Sequence, residues 1–413
     1  MTAARTAASL DFEEELQSPQ FLTDPYAIYD RMRRDAPVYW SSGLHAWVVT
    51  GHAPLATVLR LDGRAFSTAG RVAAAISRLP SDVQAELPTI RRHYAVGLMH
   101  TDPPDHTRIR ALVNRLFTPR SVELLGPRID ELANELLDAA GGSRPIDLVA
   151  EFALPLSSRV VSEVLGVPLE HSRLKDWIEN SQSFLSGNVL TPAVAARMEA
   201  TLVAARTFIA ETADRRRSDP RDDLISRLVV ARDEGALTDD ELLSTCMTFI
   251  LGAYMTTTAL ISSAVLALLS HPSELARMLS DDALLATAVE EVLRYESPAP
   301  RITRIASDDV DLDGQRIGRG DSLILMLGAA NRDPDVFPEP VRFDIARRAN
   351  RHLAFAAGAN FCAGAPLARL EGASALRALF QRFPRTALAA GFRPAWVANP
   401  SIRLVESLQV NLA

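Results

Sequence analysis

The chain has 413 residues, is 47% hydrophobic and 23% charged, and carries a formal net charge of −7. That composition belongs to a globular protein with a large core, and it excludes a disordered chain and a basic nucleic-acid binder. At roughly 150 residues per domain the length allows two or three domains or one large α-rich unit.

Two cysteines, Cys246 and Cys362, do not make a disulfide framework, a four-cysteine zinc site or an iron–sulfur cluster. Electrons for any redox chemistry then come from another protein, unless a non-sulfur redox group is bound. Of the 44 basic residues only Lys175 is a lysine, which reads as the codon bias of a GC-rich bacterial genome.

The opening stretch MTAARTAASLDFEEELQSPQF has no apolar core long enough for a signal peptide or membrane anchor. It is read as a short extension, residues 1–23, of a single cytoplasmic domain. DPYAIYDRMRRDAP (24–37) has the spacing of an amphipathic helix, and HAWVVT (45–50) that of a strand closed by Gly51. From Pro104 to Ala140 the pattern is helical with breaks around Pro119 and Pro127, and helices dominate as far as Tyr295. Over 309–327 the period changes to that of strands, with Asp313-Gly314 as a hairpin turn. The fold class is mainly α, with a smaller β portion in the second half.

From Leu242 to Ser270 no residue is charged, a length that would span a bilayer. Thr245, Thr248, Gly252, Thr256, Thr257, Thr258, Ser262 and Ser263 are scattered through it, and it opens on a capping box, Thr238 and Glu241. It is read as a long helix through a soluble core. Its polar side chains then need partners, which makes them candidates for a site.

Cys362 lies in RHLAFAAGANFCAGAPLARLEGA (351–373). A thiolate is a good metal ligand when backbone N–H groups stabilise its charge, and Gly358, Ala359, Ala363 and Gly364 leave them room. The next segment has helical spacing with Pro366 in its first turn, so the positive end of a helix would point back at the sulfur. Cys246, inside the apolar helix, reads as a buried structural thiol.

Phe355-x-x-Gly358-x-x-x-Cys362-x-Gly364 resembles the haem-binding loop of the cytochrome P-450 superfamily, the haem-thiolate monooxygenases. Other segments match in the right order, so that the resemblance runs from about Asp24 to the C-terminus. Glu291 and Arg294 match the family's Glu-x-x-Arg, and Arg342 in FPEPVRFD fits the later arginine that joins them. His106 and Arg110, one helical turn apart, and Arg304 match the residues that face the haem propionates, for which guanidinium is well shaped.

The resemblance implies the P-450 fold, with the long central helix over a buried haem b. It implies Cys362 as axial iron ligand in a loop framed by Phe355, Gly358 and Gly364, with Thr256 supporting oxygen activation. His106, Arg110, Arg304 and Asn360 would anchor the propionates. It also implies a monomeric enzyme that oxidises a small organic molecule with dioxygen. Its electrons would come from a ferredoxin with its reductase or from a flavodoxin, and neither a membrane nor nucleic acid is expected as partner. Composition and analogy suggest a tailoring step in bacterial natural-product biosynthesis.

Two positions leave the family pattern. In GAYMTT (252–257) Met255 stands where relatives carry an acid that, with the threonine, organises water for proton delivery. Either a water chain or a substrate hydroxyl takes over in an ordinary oxygenation, or the enzyme performs an unusual oxidation such as aryl, C–C or C–N coupling. Asn360 stands where a basic residue usually meets a propionate, and a neutral hydrogen bond is roughly half as strong as a charge-assisted one. Ala356 replaces a common glycine.

A non-catalytic P-450-like partner protein is the alternative reading, and the retained Cys362 argues against it. A cysteine hydrolase would need a nucleophile–base motif, which the chain lacks. Arg71, Arg78, Arg91 and Arg92, in the segment 71–100, read as solvated arginines rather than as a receptor for an acidic or carrier-bound substrate.

Overall fold

The computed structural model describes residues 12–142, 144–167, 171–186 and 190–413. Residues 1–11 of the expected N-terminal extension lie outside the described residues. Over 12–23 the chain passes through two short helices, and Phe12, Leu16 and Phe21 are buried.

Helix α1 (Tyr26–Asp35) buries Ile28, Tyr29 and Met32, one face at helical spacing. A hairpin of β1 (Val38–Ser41) and β2 (Ala46–Val49) follows, then α2 (His52–Arg60) directly after Gly51, and β3 (Phe66–Ser67). Helices α3 (Asp105–Leu116) and α4 (Gly126–Ala140) are separated by a short helix, Pro119–Glu123. The breaks thus fall just ahead of Pro119 and Pro127, because proline suits a first helical turn, where its missing N–H has no partner to lose.

After β4 (Pro145–Asp147) come α5 (Leu154–Leu165), the 27-residue α6 (Pro192–Ser218) and the 32-residue α7 (Asp239–Ser270). The second half supplies α8 (Leu284–Tyr295), β5 (Ile302–Ala306), β6 (Val310–Leu312), β7 (Gln315–Ile317) and β8 (Ser322–Leu325). It ends with α9 (Ala365–Arg382), β9 (Ala387–Leu388) and β10 (Gln409–Asn411). The turn between β6 and β7 has positive φ at both Asp313 (54°) and Gly314 (75°), the geometry that favours this dipeptide in hairpins.

The main sheet has the order β1-β2-β8-β5-β3, with β2 parallel to β8 in the register Val48↔Ile324. The expectation of a β portion confined to the second half is therefore corrected: β1, β2 and β3 all come from the first 70 residues. A strand pair so distant in sequence is held by nonlocal packing, which no local pattern announces.

Helix α7 is the element around which the rest is arranged, packing against α5, α8 and α9. Thr238 Oγ1 accepts from the Glu241 N–H at 3.2 Å, and the Glu241 carboxylate accepts from the Thr238 N–H at 2.8 Å, completing the expected capping box. Among the described residues it is the one helix long and apolar enough to cross a membrane, and it is mostly buried within the protein. Several of its hydroxyls find partners inside the helix. Thr248, Thr258 and Ser262 donate to the carbonyls of Ser244, Tyr254 and Thr258, at 2.9, 2.8 and 2.8 Å. Leu260, Ile261, Ala264 and Leu268 pack into one core cluster with Leu132 and Leu136 of α4, Leu156 of α5, and Ala375, Leu376 and Leu379 of α9.

Candidate functional site

The loop before α9 is a tight turn around Cys362. The Cys362 N–H donates to the Phe355 carbonyl at 3.0 Å, closing the turn, while the Phe355 ring packs against the main core cluster. Gly358 has φ +71°, and a Cβ there would stand 2.3 Å from the Leu59 carbonyl oxygen. Only glycine lets the end of α2 approach this closely. Ala356 also has positive φ, 57°, so the departure from the usual glycine loads backbone strain onto the loop.

Cys362 is half-buried. Burial pushes its thiol up; the N–H of Gly364, the guanidinium groups of Arg110 and Arg369, and the N–H of Ala365 pull the other way. The last N–H belongs to the first residue of the 18-residue α9, so the helix does point its positive end at the sulfur. Cys246, by contrast, is fully buried in α7, and its thiol is pushed up to about 12 by burial.

Helix α7 is buried along most of its length, but residues 251–253, 255 and 256 are accessible around the buried Tyr254, and Gly252 is exposed with nothing within 4 Å of where a Cβ would be. Thr256 Oγ1 donates to the Gly252 carbonyl. Met255 packs, partly buried, against two large core clusters. Ala253 and Met255 share the second of these with Ala363, the neighbour of Cys362. The opening in α7 and the cysteine loop thus border the same packed region.

The expected anchors converge from three segments. His106 is buried on α3, with the Asn360 side chain near its ring. Its Nε2 is buried with no partner among the described residues. Burial, then the charge of Arg110, lowers the His106 pKa. Arg110, one turn along α3, is itself lowered by burial and supported by the charge of Cys362.

Arg304, on β5, is buried and engaged. Its Nε and Nη2 donate to both oxygens of Asp62, at 2.5 and 2.7 Å, and its Nη1 to the Thr303 carbonyl at 2.8 Å. Asn360 Nδ2 donates to the same Asp62 at 3.3 Å. Asp62 is therefore a member of this cluster that sequence reading misses, because nothing marks it among 51 acidic residues.

Residues 80–388 match the cytochrome P-450 family. The chain is 37% identical over 379 residues to the biotin biosynthesis cytochrome P-450 of Bacillus subtilis, covering 90% of this chain and 92% of that protein. It is 36% identical over 411 residues to the 6-deoxyerythronolide B hydroxylase of Saccharopolyspora erythraea, covering 96% and 98%. The chain belongs to the cytochrome P-450 family. Among solved structures it resembles P450BioI in complex with an acyl carrier protein ligated with hexadec-9Z-enoic acid. The TM-score there is 0.85 at 35% identity, over 96% of this chain and 100% of that one. Like its family, this P-450 is a haem-thiolate oxidoreductase that uses haem b and acts on small molecules with electrons from a redox partner.

The residues present fit that cofactor. The orphaned, buried Nε2 of His106 has a donor to offer a carboxylate, and the exposed Gly252 leaves α7 open on one side.

Behind the cysteine loop of this P-450, Glu291 and Arg294 are fully buried and joined by two hydrogen bonds of 2.8 Å. The expectation that Arg342 completes this pair is corrected. The Arg342 side chain is 56% exposed and faces Glu339 and Asp344, and only its carbonyl accepts from Arg294. The third member is Arg347, whose Nε lies 3.2 and 3.1 Å from the two Glu291 oxygens. The irregular chain around residue 340 turns the Arg342 carbonyl inward and its side chain outward.

A second ionic cluster supports the loop. Arg369 of α9 lies 4.6 Å from the Phe355 ring centre and donates to Glu290 at 2.6 and 2.9 Å, while His352 contacts Glu290 at 3.0 Å. Burial alone would raise the Glu290 carboxyl, but His352 and Arg369 hold it down to about 2.

Arg78, Arg91 and Arg92 are exposed, Arg91 donating to Gln84 and Arg92 to Asp240, as expected of surface arginines. Arg71 differs: it donates to the carbonyls of Thr68 and Met99 and to the Thr303 hydroxyl, tying this segment to β5.

Proposed function

We propose that this P-450 is a monooxygenase acting on a small organic molecule in a bacterial biosynthetic pathway, with Cys362 as the axial ligand of its haem. The single observation that carries this is the turn that presents one sulfur just ahead of α9, closed by the Cys362 N–H on the Phe355 carbonyl at 3.0 Å and admitted by Gly358 against the Leu59 carbonyl. When bound, the haem supplies dioxygen activation and oxidation of the substrate.

The chain's own residues prepare the site. Phe355, Gly358 and Gly364 shape the turn that presents the sulfur. His106 Nε2 and Arg110 offer donors to the propionates, with Arg304 and Asn360 beside them. Gly252 and Ala253 keep an open space on α7, and Thr256 offers a hydroxyl at its edge, able to pass a proton once it turns from the Gly252 carbonyl. Met255 is apolar and passes none, so protons arrive through water or through a hydroxyl of the substrate.

The electron donor is a ferredoxin with its reductase or a flavodoxin, and the enzyme works as a cytoplasmic monomer. Relatives named as a 6-deoxyerythronolide B hydroxylase and as a biotin biosynthesis P-450 support a tailoring reaction. The test is turnover under labelled dioxygen, with the thiolate-type red-shifted Soret band of the reduced, carbon-monoxide-bound protein as a precondition. Label in the product supports oxygenation, and an oxidised product without label overturns it. Met255 is the observation that favours the second reading, an oxidative coupling, which predicts the unlabelled product. A protein that binds no haem would instead be a non-catalytic partner.

A further inference from the structure

Asp62 follows α2 and precedes β3, and no part of the P-450 reading above assigns it a task. It is 6% exposed, its partner Arg304 4%, and the two are joined by a bidentate pair of 2.5 and 2.7 Å. Asn360, two residues before Cys362, donates to the second Asp62 oxygen. What brings Asp62 here is the close approach at Gly358, whose missing side chain lets the backbone at Leu59 and Arg60 lie against the cysteine loop. One protein carboxylate therefore engages two of the groups that hold the haem propionates in the proposed site.

A buried guanidinium whose fork is filled by a carboxylate contributes little net charge to its surroundings. With Arg304 neutralised in this way and Asn360 neutral, the haem edge keeps its hydrogen-bond donors but loses part of its positive charge. We propose that Asp62 is a positioning residue of the haem edge, which fixes Arg304 and Asn360 and offsets the arginine's charge, so that the haem iron is held at a more negative reduction potential than its anchors alone would set. Asn360 is then the match for Asp62: an amide that can donate to the propionate side and to Asp62 without adding charge. The inference rests on the haem-thiolate reading of the site, and its measurement is separate from that reading.

The experiment is a spectroscopic redox titration of the ferric/ferrous couple in haem-loaded protein, each variant first checked for the thiolate-type carbon-monoxide band. The reduced form carries one more electron, so removing a nearby negative charge favours it and removing a positive one disfavours it. Asp62→Asn is expected to shift the midpoint positive, Asp62→Glu to stay closer to the parent, Arg304→Gln to shift it negative, and Asp62→Asn/Arg304→Gln to return near the parent value. The double variant leaves no charge unpaired, so it decides the matter if Asp62→Asn alone fails to keep haem. The proposal is overturned if Asp62→Asn keeps haem with an unmoved midpoint, or if the double variant shifts as far as Arg304→Gln alone. Loss of haem from the double variant overturns it too, since the pair would then be needed for structure. A parent protein that lacks the thiolate band sinks the haem-thiolate reading itself.

Discussion

Arg347 reaches back to Glu291, its Nε 3.1 Å from one carboxylate oxygen, while Arg294 holds the same carboxylate from within α8. Both Glu291 and Arg294 are fully buried. Removing one member of such a group leaves an uncompensated buried charge, at a cost of roughly 3–5 kcal/mol. Glu291→Ala is therefore expected to lower the thermal midpoint steeply and to reduce haem content on expression. Arg342→Ala, on an exposed side chain, should change stability by no more than about 0.5 kcal/mol. Equal effects of Arg342→Ala and Arg347→Ala in thermal denaturation would contradict this arrangement.

The cysteine loop carries two left-handed residues of opposite character. Gly358→Ala places a methyl against the Leu59 carbonyl at positive φ, so it costs more than the roughly 1–2 kcal/mol of the left-handed conformation alone. It should also release haem. Ala356→Gly relieves the same conformational strain at φ +57° and is expected to raise stability by about 1 kcal/mol or less, since glycine is freer in the unfolded chain. Denaturation midpoints of the two variants, moving in opposite directions, check both.

How far the sequence discloses this molecule depends on how local the determinant is. The capping box of Thr238 and Glu241, the run of α7, the hairpin at Asp313-Gly314 and the cysteine loop with α9 behind it are all set by neighbouring residues, and all are legible. Arg347 is not, because the chain that carries it is irregular and has no period from which to read an inward side. Asp62 meets Arg304 and Asn360 only after three separate segments have folded together. The parallel pairing of β2 with β8 joins residues about 275 apart, and the parent pattern of each strand says nothing of its partner.

Asn360 offers a neutral donor where a basic residue is usual, and it is spent in part on Asp62 at 3.3 Å. A histidine there keeps a donor toward Asp62 and, when protonated, adds a charge-assisted bond to a propionate. Asn360→His is expected to slow haem transfer to an apoprotein acceptor at mildly acidic pH, with a smaller effect above neutrality as the imidazole loses its proton. An unchanged transfer rate across that range would remove Asn360 from the propionate contacts.

Thr256 and Met255 decide how protons reach the space beside α7. Thr256→Ala deletes the hydroxyl that now caps the Gly252 carbonyl, so product formed per electron pair should fall, with peroxide making up the difference. Met255→Asp introduces a carboxyl where the packing is only partly buried, at a cost in stability of roughly 1–3 kcal/mol. If proton supply limits the parent, the same variant raises product per electron pair. The ratio of product to reductant consumed measures both.

Glu371 lies on α9, 1% exposed, with Oε1 lacking any partner among the described residues. Burial raises its carboxyl to about 8, against a smaller opposing effect of the Ser157 hydroxyl. In the unfolded chain a glutamate ionises near ~4.3. Below that value both states hold the proton and the folded state bears no penalty. Between about 4.3 and 8 the unfolded chain releases a proton that the folded protein retains, so stability falls as pH rises, and above about 8 the loss is complete. Glu371→Gln keeps the shape of the protonated acid without a proton to release. The variant should match the parent near pH 4.5 and become progressively more stable than it toward pH 8, read as diverging thermal midpoints. Parallel midpoint curves would show that Glu371 is already ionised in the folded protein.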